Sequence, residues 1–204
     1  MRSVLAGLRR WAGIGHDFST TAEKWVSTTG GLVGILGVAL VSQTQLGLAG
    51  SASIIASMGS SAVLLFAVPH GPLSQPWSVF GGHLVSAIVG VTCVKLIPAP
   101  VLAAAIAVAL AIGAMHYLRC IHPPGGATAL GAVLGGDAVH QLGYQFVITP
   151  VMLNAITILL VAFLFNAPFA WRRYPAAWSE GAGAKVPATA GEAATSLMEN
   201  ADGR

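Results

Sequence analysis

His122 stands where one apolar run ends and another begins, in the stretch Arg119-Cys-Ile-His-Pro-Pro-Gly-Gly-Ala-Thr-Ala-Leu. Pro123 and Pro124 remove two backbone donors and push the residue before each of them away from helix. His122 is therefore expected to be extended or in a turn. Proline suits the first turn of a helix, so a short helix is expected from Pro124 to about Gly135. Its first N–H groups would belong to Gly125, Gly126, Ala127 and Thr128, with little side chain to cover them. A helix start of this kind carries partial positive charge and can hold an anion. His122 could donate to that anion or carry a proton, since imidazole titrates near neutrality. The structural alternative is a histidine that bonds backbone carbonyls and fixes the turn.

Other residues could contribute to the same chemistry. Gly59, Ser60 and Ser61 repeat the pattern of Gly126, Ala127 and Thr128 at an offset of 67 residues (Gly, small, hydroxyl, then Ala and a branched apolar residue). Trp77 faces Tyr144 at that offset, each at the start of a span. A second helix start at Gly59 would place two positive ends across one cavity. His83 follows Gly81-Gly82 near the head of a span, and Asn154 is an amide in the middle of the last span. The competing reading of these hydroxyls and the amide is hydrogen bonding within a tightly packed bundle. His116 lies six residues before His122; His70 and His140 fall in loops. Arg119 and Lys95 read as interface anchors that could also attract anions. The histidine spacing fits no metal-ligand pattern, no carboxylate accompanies it, and neither a metal nor a cofactor is expected. No nucleophile constellation suggests an enzyme.

These residues must be held by membrane helices. Of the 204 residues 55% are hydrophobic and 8% charged, and between Trp25 and Trp171 the charged residues are Lys95, Arg119 and Asp137. A soluble domain does not have this composition. Cys93 and Cys120 lie in apolar segments and read as small buried hydrophobes. The net charge of +3 comes mostly from the ends, so it bears on topology and gives no case for nucleic acid.

The chain divides into a basic segment 1–29, a membrane domain 30–168 and a polar tail 169–204 expected to be disordered. Leu5, Leu8, Trp11 and Ile14 could line a short interfacial helix; no cleaved signal peptide is expected. Six hydrophobic segments follow, at about 30–48, 50–68, 79–97, 101–118, 124–135 and 144–165. A full crossing needs about 20 residues, so 124–135 reads as a half-helix. The fold is expected to be an all-α bundle of long, short and long segments twice over, as in inverted three-plus-three repeats. Basic residues at both ends place both termini in the cytoplasm, which requires an even number of crossings. Six segments meet this, as do four full spans with two half-inserted ones.

The chain resembles the HPP family of integral membrane proteins. The resemblance rests on His122-Pro-Pro-Gly-Gly-Ala-Thr-Ala-Leu130, Gly59-Ser-Ser-Ala-Val-Leu-Leu-Phe66, Pro72-Leu-Ser-Gln-Pro76 and Gly81-Gly-His83, and covers residues 30–168. It implies a compact membrane domain and transport of a small anion, nitrite first, across an inner or plasma membrane, with or without a coupled proton. A passive channel and a non-transporting scaffold are the alternatives. The bilayer and the anion are the expected partners, and a homo-oligomer is compatible. Some members carry a nucleotide-binding domain after the membrane part, and none is expected in the short tail here. His70-Gly71 and Trp77 stand where the family pattern has small or acidic residues and Arg, so the loop lacks one anion-attracting charge.

Overall fold

The computed structural model describes residues 7–8, 11–12 and 19–180 and, of 45–51 and 179–180, the backbone alone. Helix α1 runs Thr21–Ala67, capped at its start by the Thr20 hydroxyl, which accepts from Glu23 N–H. The run doubles back on itself. A Cβ on Gly34 would lie 2.6 Å from the Phe66 ring, whereas a straight helix would hold these residues roughly 48 Å apart. Its arms are the long apolar segment Thr21–Thr44 and the shorter Ala52–Ala67, matching the first two segments expected from the sequence.

After a 3-10 turn at Pro72–Ser74 come α2 (Pro76–Leu96), α3 (Pro100–Tyr117), α4 (Pro124–Leu134) and α5 (Asp137–His140). The last span opens as a π-helical turn, Val147–Met152, broken at Thr149, and continues as α6, Leu153–Asn166. A 3-10 turn at Ala170–Arg172 and the short α7, Ala177–Glu180, follow. Four helical segments are long and apolar enough to cross a membrane, while Ala52–Ala67 and Pro124–Leu134 are shorter. The protein is a polytopic all-helical bundle with the order long, short, long in each half.

α2 packs most closely on α4 and α3, and α1 on α6. The apolar core joins Val38, Ile54, Met58, Leu65, Phe66 and Val79 to Phe146, Val151, Ala155 and Ile158. A second cluster of Ala103, Ala107, Ala111, Ala129 and Val133 seals α3 to α4. Side chains this small let backbones approach, and close dispersion contact replaces the hydrophobic drive that lipid removes.

One end of the bundle is fastened by Arg172, which is 1% exposed. Its guanidinium donates to Asn166 Oδ1 (2.8 Å), Glu23 Oε1 (2.8 Å), Ser27 Oγ (3.1 Å) and Phe66 O (2.6 Å). Burial pulls its pKa down and Glu23 holds it up. The start of the first arm, the end of the second and the end of the last span therefore meet at one end of the bundle. Nearby, the Tyr174 hydroxyl, whose pKa burial pushes up, donates to Ser74 O at 2.7 Å. The expectation of a disordered tail from 169 is corrected here. Arg172 and Tyr174 are among the most buried large side chains, because they satisfy helix-end and loop carbonyls that would otherwise lack donors. The proposed interfacial helix of Leu5, Leu8, Trp11 and Ile14 and the tail from 181 lie largely or wholly outside the described residues.

α3 ends in two reverse bonds, Arg119 N–H to His116 O (3.2 Å) and Cys120 N–H to Met115 O (3.0 Å). This is the Schellman pattern, with Arg119 at the left-handed position (φ 53°). A side chain there costs about 1–2 kcal/mol, part of which the freer unfolded glycine would return. Arg119→Gly should raise unfolding free energy by about 0.5–1 kcal/mol, read as resistance to denaturation in detergent.

Candidate functional site

The chain between α3 and α4 does not stay at the membrane face. Trp77, in the first turn of α2, donates to Leu118 O at 3.1 Å. One turn along α2, a Cβ on Gly81 would meet Cys120 at 2.8 Å, and on Gly82 would meet His122 at 2.5 Å. A Cβ on Gly125 would lie 2.7 Å from Ser86 Oγ. From Trp77 the rise along α2 is about 7.5 Å to Gly82, beside His122, and about 13 Å to Ser86, beside Gly125, so the His-Pro-Pro turn leads from about a quarter to nearly half of the roughly 30 Å depth of a bilayer core. α4, a short apolar helix, continues from there along α2 and α3. Irregular backbone at such depth survives only when protein buries it or it borders a cavity.

Five buried side chains from four elements meet at this turn. Ser61 Oγ lies 2.9 Å from His83 Nε2 and 2.9 Å from His122 Nε2. His83 Nδ1 lies 2.8 Å from Thr128 Oγ1, which is 2.7 Å from Ser57 Oγ. Carbonyls close both ends: His122 Nδ1 is 2.9 Å from Leu73 O, and Ser57 Oγ donates to Pro124 O at 2.9 Å. The imidazole rings stand edge to face, 4.9 Å between centroids, and both histidines are fully buried. The Leu73 carbonyl is presented by the Pro72–Ser74 turn, whose Ser74 hydroxyl bonds Leu64 O and Val68 O.

Of the residues singled out in the sequence, Ser61, His83, His122 and Thr128 share this network. Their hydroxyls fulfil the internal pattern: Ser61 and Thr128, equivalent at the offset of 67, take the two nitrogens of His83. The other candidates are placed differently. Gly59 sits inside the second arm, so the expected helix start there is corrected: no proline precedes it to break the helix, and its backbone continues the run. It borders a groove with Ser27, Gly31, Ala62 and Phe66. Asn154 donates to Ser42 Oγ at 2.7 Å, away from the histidines. The expectation of four free N–H groups at the α4 start is also corrected. Gly125 N–H donates to His122 O (2.8 Å) and Gly126 N–H to Pro123 O (3.0 Å), the tight bonds a helix makes when prolines set its first turn.

Ser60 and Ala127 line an open groove of about 390 Å³ with Val63, Leu64, Pro123 and Pro124. It lies on the far side of the turn from α2. A Cβ on Gly126 would meet nothing within 4 Å. The α4 start thus has a packed side at Gly125 and an open side at Gly126.

Ser57 went unrecognised as a candidate in the sequence, though Ser53, Ser57 and Ser61 fall four apart on one helix face. Ser53 Oγ is buried with no hydrogen-bond partner, as is Asn154 Oδ1. Cys93 and Cys120 are buried and free. Among the described residues no three His, Cys, Asp or Glu side chains gather as a metal set.

The seam at Gly81, Gly82 and Gly90 gives a prediction. Gly82→Ala places a methyl against His122 Cβ and, at 3.1 Å, Cys120 O. Neither atom is the free end of a side chain. Overpacking of this kind costs about 1–3 kcal/mol, against a helix-propensity gain of up to about 1 kcal/mol. Unfolding free energy should fall by roughly 2 kcal/mol. Gly113→Ala, with nothing within 4 Å, should instead raise it.

Comparison with known proteins agrees with this architecture. The family model described as HPP, transmembrane region, matches residues 17–175. A transmembrane protein of Dictyostelium discoideum is 35% identical over 179 residues, covering 83% of this chain and 56% of its own. A second from that organism is 33% identical over 186 residues, covering 86% and 64%. The chain thus spans less than two thirds of the length of either relative. No solved structure matches. The chain belongs to the HPP transmembrane family, as a multi-pass integral membrane protein.

Proposed function

We propose that this domain carries a small monovalent inorganic anion, nitrite first, across the membrane, with both termini in the cytoplasm. The observation that carries this reading is the α4 start: a helix N-terminus preceded by an irregular turn, open at Gly126 and bordered by the Ser60–Ala127 groove on the outer side of the bundle. A positive helix end in a low-dielectric setting favours an anion without a formal cation to bind it too tightly. Ser60, which lines the groove, adds a hydroxyl; Ser61 and Thr128 are engaged with the histidines, and His122 stands behind the turn. Asn154 is not part of this reading.

The test is anion uptake into liposomes holding the purified protein, with nitrite, nitrate, chloride and formate compared. Saturable uptake that prefers nitrite supports a carrier. Flux that rises linearly with concentration points to a channel at the same site. A second reading has an observation of its own, because every polar atom of the histidine network is paired, which is also what a packing element needs. A scaffold of that kind predicts that His122→Ala lowers stability while no anion moves in the unaltered protein.

A further inference from the structure

We infer that the chain Leu73 O–His122–Ser61–His83–Thr128–Ser57–Pro124 O is a proton-holding relay, in which one added proton sits on either histidine and passes between them through the Ser61 hydroxyl. The inference deepens the transport reading and rests on it for what the proton accompanies.

The chain has six links and begins and ends on carbonyl oxygens, which only accept. Each of the five side chains, when neutral, brings one hydrogen to it. Five hydrogens cannot fill six links, so the neutral chain is one short. The longer contacts Ser61 to Ser57 O (3.3 Å) and Thr128 to Pro124 O (3.4 Å) offer only weaker resting places. One further proton completes the set. With it on His83, Nε2–H donates to Ser61, Ser61 to His122 Nε2 and His122 Nδ1–H to Leu73 O. On the other side His83 Nδ1–H donates to Thr128, Thr128 to Ser57 and Ser57 to Pro124 O.

Transfer changes one bond set. The Nε2 proton of His83 passes to Ser61 Oγ, and the Ser61 proton passes to His122 Nε2. His83 becomes neutral, His122 becomes the cation, and the other four links keep their direction. Both charge positions satisfy all six links. The proton comes from water and is taken up at His122 Nδ1, the ring nitrogen on the loop side, when the unfilled link is the one to Leu73 O, a carbonyl that accepts but cannot pass a proton on.

Burial opposes a cation here, and the neighbours offer no compensating charge. The second arm supplies only hydroxyls. α2 brings His83, α4 brings Thr128, and the turn brings His122 with Cys120, which packs on Gly81. Lys95, His116 and Arg119 belong to the surrounding elements but are exposed, and His70 bonds Arg173 O. A bound anion at the nearby α4 start would supply the missing negative charge. Anion and proton would then bind with positive coupling, each raising the other's affinity by the same factor, and cross as a neutral pair.

Two measurements on the full chain test this. In lipid-reconstituted protein labelled with 15N-histidine, with His83→Gln and His122→Gln used for assignment, sodium nitrite should convert one imidazole to the cationic form at a pH where both are neutral without it. In liposomes, an inward proton gradient should drive nitrite uptake without net current. Ser61→Ala should lower the gradient-driven rate about a hundredfold, the low end of what a positioned proton-transfer group contributes, and Ser61→Thr, which keeps the hydroxyl, should restore it. Nitrite uptake indifferent to the gradient and unchanged by Ser61→Ala, in a folded protein, overturns the relay and leaves the anion reading. Histidines that take up the proton as pH falls, in a protein that moves no anion, leave the relay and overturn the anion reading. Histidines neutral from pH 4 to 8 with and without nitrite overturn the relay whatever the flux.

Discussion

Arg172→Met should lower the unfolding free energy by about 3 kcal/mol, as read by denaturant or thermal unfolding of the detergent-solubilised protein. The side chain is buried and reaches three helix ends at once: Asn166, Phe66 O and the Glu23–Ser27 turn. Methionine fills comparable space but donates nothing. It leaves Asn166 Oδ1 and the Phe66 carbonyl without their donors, each at about 1–3 kcal/mol. The Glu23 side chain is 25% exposed, so water takes over much of its charge, and Glu23→Gln should cost under about 1 kcal/mol. Arg172→Lys keeps the charge, but one ammonium cannot cover donors pointing along three directions, and it should recover less than half the loss. A methionine variant within about 1 kcal/mol of the unaltered protein would show that packing by Trp171 and Tyr174, with no help from the guanidinium, holds this end together.

That clamp also marks where sequence reasoning stopped. Arg172 beside Arg173 after an apolar span reads as a basic flank that sets topology, and the sequence offers no cue that Glu23, 149 residues away, lies within reach. The long–short–long order was legible because length and proline breaks are local properties. So was the dip at His122, since two consecutive prolines forbid a helix from running through. The equivalence of Ser61 and Thr128 was legible as a pattern, but its meaning was not. The same residues serve as a helix start after Pro123-Pro124 and as helix interior in the second arm, because only the first has prolines to break the run. Ser57 was hidden for a different reason. A serine in a Ser/Gly-rich membrane helix reads as a packing residue, and only the fold reveals that it lies against Pro124 and Thr128. The glycines of α2 were visible as small residues, but which backbone each admits is a tertiary fact.

Gly125 and Gly126 should respond to leucine in opposite ways, although they are adjacent and chemically identical. Gly125 is buried. A Cβ there would sit 2.7 Å from Ser86 Oγ, 3.0 Å from Gly82 O and 3.2 Å from Met115 Sδ. One of these is backbone, and the rest of a leucine side chain would have to enter the seam between α2 and α3. The cost should exceed the roughly 1–3 kcal/mol of ordinary overpacking, and Gly125→Leu should fail to yield monodisperse protein. Gly126 faces open space, and leucine in a helix is favoured over glycine by up to about 1 kcal/mol. Gly126→Leu should therefore fold as well as the unaltered protein or better. Its side chain would occupy the open side of the helix start, where the anion is placed, so nitrite uptake should fall to the level of empty liposomes. Stability and transport would then separate at a single position, which a purely structural role for the turn does not allow. A Gly126→Leu protein that folds and still carries nitrite at the normal rate would move the anion path away from the α4 start while leaving the packing argument at Gly125 intact.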